Sequence, residues 1–383
     1  MTQSNKIHLP FLDGIRGIAI FSVFLFHSLH ATFGFDNLKW NGIFRDFNVS
    51  DSFLALYPFT YGGAGVAIFF VVSGFCIHLS HQRSKEGGWL AFANRRFFRI
   101  YPPYLLALLV FFFVAPWGSF YLNSISRVHQ LITHVLAIHN FDENMFFGIN
   151  PSFWSIAVEV QLYALYPLLL LLVTKLGWKR ALLIVACAEI WIRLFVATNS
   201  LRSDYAVPWF IQNSPFAFWL SWSLGAYLCE CSMKHRSSRI FALPFWLVFA
   251  VAFAVPFFKI TSPFTFLAFS LLTAIAIERL MTQKWTLPSN RYFRHVWAHL
   301  SLLGVVSYSF YLIHQPLIEL TGKMITKVFP DMFIHPLLKY TLCLGWYPVL
   351  FVCSWVLYRS IEQPSIQLGK RVWRLFNDTN SCP

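Results

Sequence analysis

Apolar residues in this chain come in long uninterrupted runs rather than in strand-like alternation. Ten of the runs are long enough to cross a hydrocarbon core about 30 Å thick, some with help from their flanks. Within a few residues they cover 14–35, 59–79, 100–117, 152–173, 180–197, 211–231, 241–257, 263–281, 300–323 and 336–358. In lipid every backbone N–H and C=O must be paired within the protein, so runs of this kind are read as helices. The pattern therefore predicts an all-α polytopic membrane protein with about ten transmembrane helices. An even number of spans leaves both termini on one side, and that side collects 21 of the 30 Lys and Arg residues. The positive-inside rule places it, and both termini, in the cytoplasm. The first run carries charges and no small-residue cleavage site, so it reads as an uncleaved span of a protein of the cell membrane.

The longest polar stretches, 36–58 and 118–151, are both extracytoplasmic in this scheme. The second holds Arg127–His139, apolar at helical spacing but too short to cross, which predicts an interfacial or re-entrant helix. No stretch reads as an appended soluble domain, an internal repeat or a low-complexity tract. Residues 1–383 are thus expected to form one transmembrane domain.

Composition agrees with the pattern. Charged residues make up 12% of the chain against about 25% in soluble domains, and the mean hydropathy is +0.56. A formal net charge of +14 would suggest nucleic acid in a soluble protein. Here it follows from Lys and Arg gathered in cytoplasmic loops, and no basic soluble domain or base-stacking motif accompanies it, so no nucleic-acid partner is expected. The seven cysteines have neither disulfide-framework nor zinc spacing and read as small buried hydrophobes. Cys382 is the penultimate residue, which excludes a prenylation box.

The informative residues are the polar ones inside the runs, because a charge in hydrocarbon costs roughly 3 kcal/mol or more. The first run carries Asp13, Arg16 and His27. Eleven residues separate Arg16 from His27, about three helical turns, so both point the same way roughly 16 Å apart. The second run contains Ser73 and Gly74, small enough for close helix packing. Arg96 and Arg99 stand three apart before the third run and could clamp phosphate from the cytosol. Glu159 lies about 12 Å below the outer surface in the fourth run, and His314 stands well inside the ninth. Counting along each span brings His27, His314 and Glu159 to one height. The bland alternative, in which Arg16 snorkels and His27 is a satisfied core histidine, does not explain that coincidence. The pairs His27/His30 and His78/His81 fall at opposite faces, which argues against haem ligation, and no metal is expected.

These residues fall in motifs. Leu12-Asp-Gly-Ile-Arg-Gly with Arg16-x10-His27, Phe69-Phe-Val-Val-Ser-Gly-Phe75 and Arg96-x-x-Arg99-Ile-Tyr-Pro open the chain in that order. Trp154-Ser-Ile-Ala-Val-Glu159-Val-Gln161-Leu-Tyr163 and Ser307-Tyr-Ser-Phe-Tyr-Leu-Ile-His314-x-Pro316 follow, then Glu362-Gln-Pro364. Taken together they resemble the acyltransferase 3 family of integral-membrane O-acyltransferases, nearly end to end. One departure is Val160, where many members carry a second Glu. Another is the expected lack of the extracytoplasmic serine-hydrolase-like domain that some members append.

The resemblance implies a donor, acetyl-CoA or another acyl-CoA, taken from the cytosol, and an acceptor hydroxyl on a cell-envelope carbohydrate or glycolipid. It implies His27 as the catalytic residue, with Arg16, Arg96 and Arg99 concerned with the donor. The chemistry is compatible. A neutral imidazole accepts the proton of an attacking hydroxyl, or is itself acylated and passes the group on. Glu159 would orient that imidazole, and Arg16 or His314 would stabilise developing charge. Guanidinium forks suit the phosphates of CoA better than lysines do. Asp13 would pair with Arg16, or with Arg96 or Arg99. Ser73, Trp154, Gln161 and Tyr163 complete the candidate set. The chief alternative is a multi-span transporter or proton-coupled carrier using the same Arg16, His27 and Glu159, although no repeated halves or matched broken helices are visible. A structural or sensing membrane protein with a degenerate site is the third reading.

Overall fold

The computed structural model describes residues 9–33, 57–83, 88–118, 127–201, 207–287, 290–328 and 336–380. Among the described residues every regular element is helical. The main ones are α1 (Pro10–Phe33), α2 (Gly65–Arg83), α3 (Gly88–Gly118), α4 (Arg127–Val135), α5 (Phe153–Asn199), α6 (Trp219–Met233) and α7 (Phe245–Ala254). They continue with α8 (Thr265–Met281), α9 (Arg291–Val305), α10 (Ser307–Val328), α11 (Pro336–Leu344), α12 (Tyr347–Leu357) and α13 (Gln363–Asn380). The stretch expected as an outer loop at 36–58 lies almost wholly outside the described residues, as does Cys382.

Six helices among the described residues are long and apolar enough to cross a membrane, or seven if α9 and α10, bent by 83° at Val306, form one span. Ten spans were expected, and the differences have local causes. The run 211–231 yields only α6, because Pro215 forces Ser214 into an extended conformation and opens a separate 3₁₀ turn. The run 241–257 shortens to Phe245–Phe257, which starts just after Pro244. The runs 152–173 and 180–197 merge in α5, a 47-residue helix interrupted at Gly177 with φ 76° and ψ 161°, a backbone that favours glycine. That interruption is a reversal. A straight helix would separate residues 154 and 193 by about 58 Å, yet the Trp154 ring lies 6.0 Å from the Phe218 ring and the Arg193 guanidinium 5.7 Å from the same ring. The two halves of α5 are antiparallel. The third run also begins earlier than expected: α3 starts at Gly88, so Arg95, Arg96 and Arg99 are carried on a helix rather than on a loop.

Lipid supplies no hydrophobic drive between helices, so close packing must come from small residues. α1 lies on α9 through Gly17, which abuts the Leu300 carbonyl, and Gly304, which abuts the Asp13 carbonyl. α2 lies on α6 through Gly74 against the Trp222 backbone and Gly225 against the Val71 backbone. Prolines add anchors, because each lacks an N–H and frees a carbonyl four residues back. Pro102 frees that of Phe98, which accepts from the Ser365 hydroxyl of α13. Pro316 frees that of Leu312, to which Asn150 Nδ2 donates at 2.9 Å.

The segment 127–141 is folded inside out. α4 exposes Val128 and Ile132 and buries Gln130 and His134. Tyr104 donates to the His134 carbonyl at 2.8 Å, and Gln161 Nε2 donates to the Ala137 carbonyl at 2.8 Å. Gln161 stands eight residues, about 12 Å, inside the start of α5. The hairpin tip therefore dips beside the helices rather than lying flat across their ends.

Candidate functional site

One face of α2 builds the site. Val66, Phe69, Ser73, Cys76, Ser80 and Arg83, alternately three and four apart, all line a cavity of about 560 Å³. α1 contributes Asp13 and Arg16, and α3 contributes Arg95, Arg96 and Arg99. Ser155, Glu159 and Tyr163 form a stripe at i, i+4 and i+8 along α5, while Ser307, Tyr308 and Tyr311 come from α10. Helices far apart in the chain thus converge through ordinary helical periodicity.

The cavity has two unlike ends. The end near Arg83 is cationic: five arginines line it (Arg16, Arg83, Arg95, Arg96 and Arg99), with the carboxylate of Asp13 beside Arg16. Arg16 pairs with Asp13 at 3.8 Å, whereas Nε of Arg96 and both Nε and one terminal nitrogen of Arg95 are buried with no hydrogen-bond partner. Glu362 stands close enough to Arg99 and Arg16 to interact with both charges. It is buried on a π-helical turn and accepts from the Ser309 hydroxyl at 2.6 Å. Such turns recur at functional sites. The other end is walled by Val66, Phe69, Phe70 and Tyr311.

Between the ends, Glu159 is held in place. One carboxylate oxygen accepts from Ser73 at 2.7 Å and from Tyr163 at 2.6 Å. The Trp222 indole donates to Ser73 Oγ at 3.3 Å. The expectation that Glu159 orients His27 is therefore corrected. Its described partners are Ser73 and Tyr163, because Glu159 shares its helix face with Tyr163, one turn further on.

The other two residues expected at that height do meet. The His27 and His314 rings lie 5.0 Å apart, with His30 a further neighbour of His27 at 5.6 Å. His314 Nδ1 donates to the Tyr311 carbonyl at 2.8 Å, which puts the proton of the neutral ring on Nδ1. Nε2 then keeps a lone pair, and it is buried without a partner, as is Nδ1 of His27. The pair does not line the cavity. Tyr311 stands between, its ring 5.1 Å from that of His314.

Of the remaining candidates, Ser73 and Tyr163 line the cavity, while Trp154 and Gln161 do not. Trp154 packs between Phe146 and Phe218, and Gln161 bonds to Asn140 and Ala137 in the segment after α4. Sequence reasoning passed over Tyr311, Ser155 and Arg95 as site residues and gave Glu362 no role. Tyr311 is three residues from His314 and Ser155 four from Glu159, so helical spacing around the chosen residues was the available signal. Among the described residues no group of three or more His, Cys, Asp or Glu is placed to hold a metal ion.

An oversupply of guanidinium groups in a low-dielectric cleft suits a polyanion. Two imidazoles with unpartnered nitrogens suit proton transfer or nucleophilic attack. Comparison with known proteins agrees with this chemistry. A family model described as an acyltransferase domain matches residues 9–359. The acyltransferase MdmB of Streptomyces mycarofaciens is 27% identical over 335 residues, covering 80% of this chain and 78% of that protein. The Staphylococcus aureus (strain COL) protein named "Putative O-acetyltransferase SACOL0978" is 27% identical over 229 residues, 55% of this chain but only 33% of that protein. No solved structure matches the chain. Its apolar helices, its charged cleft and the near full-length match lead to one conclusion: this chain belongs to the acyltransferase 3 family and is a multi-pass membrane O-acyltransferase.

Proposed function

We propose that this enzyme moves an acetyl or other short acyl group from cytosolic acyl-CoA to a hydroxyl of a cell-envelope carbohydrate or glycolipid. It does so as a single transmembrane domain of about ten spans with both termini in the cytoplasm. The observation that carries the reading is the two-ended cavity, cationic at Arg83–Arg99 and reaching Tyr311, the neighbour of the His27–His314 pair. Arg16, Arg95, Arg96 and Arg99 hold the donor's phosphates, each charged hydrogen bond worth about 1.5–3 kcal/mol. Asp13 and Glu362 space the guanidinium groups and limit their mutual repulsion.

In the direct route His27 accepts the acceptor's hydroxyl proton as the oxygen attacks the thioester carbonyl. The C–S bond then breaks, and the departing thiolate takes up a proton to leave as CoA. In the two-step route the His27 nitrogen attacks first and the hydroxyl displaces the acyl group from it. In both, His314 sits beside the ring that gains charge, and the hydroxyls fixed by Glu159 line the approach.

The test is CoA release from acetyl-CoA by purified protein in lipid vesicles, with a crude envelope glycan extract as acceptor. Wild type should release CoA only when glycan is added, and His27→Ala should abolish the release. Absence of both release and acetyl-CoA binding in well-folded wild type overturns the reading.

A further inference from the structure

We infer that Tyr311 is the specificity-determining wall of the cavity and restricts transfer to short acyl groups, an inference that rests on the acyl-CoA reading above. The lining residues of α2 run from Arg83 to Val66. Those 17 positions span about 25 Å at 1.5 Å per residue. Polarity falls along that length, from arginines, through Ser73 and Glu159, to Val66, Phe69 and Phe70. A donor anchored by its phosphates at the arginine end places its thioester towards the apolar end.

There one side chain, Tyr311, borders both the cavity and the imidazole pair. The Tyr311 ring lies 6.1 Å from that of Phe69 on the cavity side and 5.1 Å from that of His314 on the far side, with His27 5.0 Å beyond. It is nearly fully buried, and its hydroxyl is 2.6 Å from Ser155 Oγ, which pins it to α5. The ring bounds the space in which the thioester must sit to meet the imidazoles, and close packing around it leaves little room for a longer tail. The space left for the acyl group is therefore what Tyr311 leaves. In a pocket of this kind one extra methylene changes the rate by roughly 10–200-fold.

The experiment measures CoA release from acetyl-, propionyl-, butyryl- and hexanoyl-CoA, with the same glycan extract, for wild type, Tyr311→Ala, Tyr311→Leu and Tyr311→Phe. The readout is the ratio of butyryl to acetyl transfer, which a general loss of fold does not move. Wild type should favour acetyl over butyryl by about ten-fold or more. Tyr311→Ala should shift the ratio toward butyryl by a similar factor and Tyr311→Leu by less. Tyr311→Phe keeps the ring and should keep the wild-type ratio. If Tyr311→Ala does not fold, Tyr311→Leu carries the comparison. Unchanged ratios in the folded small-side-chain variants overturn the inference, as does wild type using hexanoyl-CoA as well as acetyl-CoA. Neither result touches the donor reading, which fails separately if wild type neither binds nor consumes any of the four donors.

Discussion

Two of the clusters of buried charge among the described residues are built in opposite ways. In the second half of α5, Glu189 and Arg193 are one helical turn apart, and every polar atom of both side chains is used. Arg193 donates to Glu189 at 2.9 and 2.6 Å, to the Ala217 carbonyl at 2.6 Å and to the Pro263 carbonyl. Glu189 also accepts from the Ser221 backbone N–H at 3.0 Å and its hydroxyl at 2.8 Å. In the cavity, five arginines share the lining with Asp13 and Glu159, Arg16 pairs with Asp13 at 3.8 Å, and guanidinium nitrogens of Arg95 and Arg96 are buried with no hydrogen-bond partner. A saturated cluster fixes architecture, since nothing remains to bind. An unsaturated one is expensive to keep, and a polyanionic ligand is what offsets its cost.

Mutations should separate the two. The largest effect expected is from His27→Ala, a loss of about 10²–10⁴ in transfer rate with an unchanged melting temperature, read by CoA release and thermal unfolding on one preparation. A parallel fall in melting temperature would instead class His27 with the structural residues. Arg193→Ala should do the reverse. Removing one partner strands Glu189 and two backbone carbonyls, and should cost about 3–5 kcal/mol of stability. Thermal unfolding in detergent checks this. Next come Arg96→Ala and Arg99→Ala, each raising the KM for acetyl-CoA by roughly 10–100-fold, the equivalent of one charge-assisted bond. Arg96→Ala relieves repulsion in the unliganded cavity, so its stability should hold or rise, whereas Arg99→Ala removes a charge partner of buried Glu362 and should lower it.

Part of the cavity side of this contrast was legible in the chain, while Glu189 and Arg193 were not singled out, and the limits are physical. Depth counting brought His27 and His314 to one height, because span geometry is nearly fixed by lipid, and their rings lie 5.0 Å apart; the grouping of Arg16 with Arg96 and Arg99 came from the family resemblance. Glu159 was expected to orient His27, and its described partners are other residues. Depth says nothing about rotation around a helix axis, and Ser73 with Tyr163 claims the carboxylate. The reversal at Gly177 was anticipated as two runs. The 83° bend at Val306 was not, for no proline or glycine stands at that residue to announce it. Tyr311 escaped because an aromatic residue on an apolar helix carries no signal until its neighbours are known.

The smallest effect sharpens the comparison most, since it applies one conservative change to both clusters. Lysine keeps the charge but loses the planar fork. At position 193 the fork is the whole function: Nε and one terminal nitrogen grip Glu189 while the terminal nitrogens also reach two backbone carbonyls. A single ammonium cannot span those acceptors, so Arg193→Lys should cost about 1.5–3 kcal/mol, the worth of one charge-assisted bond. At position 99 the guanidinium faces an open cavity with Glu362 and a bound anion to satisfy, and an ammonium can serve as a point charge there. Arg99→Lys should therefore raise the KM for acetyl-CoA by less than about ten-fold, roughly 1.4 kcal/mol or below, with kcat and melting temperature unchanged. If Arg99→Lys instead lowers the melting temperature as far as Arg193→Lys does, the cavity arginines are structural, and the excess charge must be explained without a ligand.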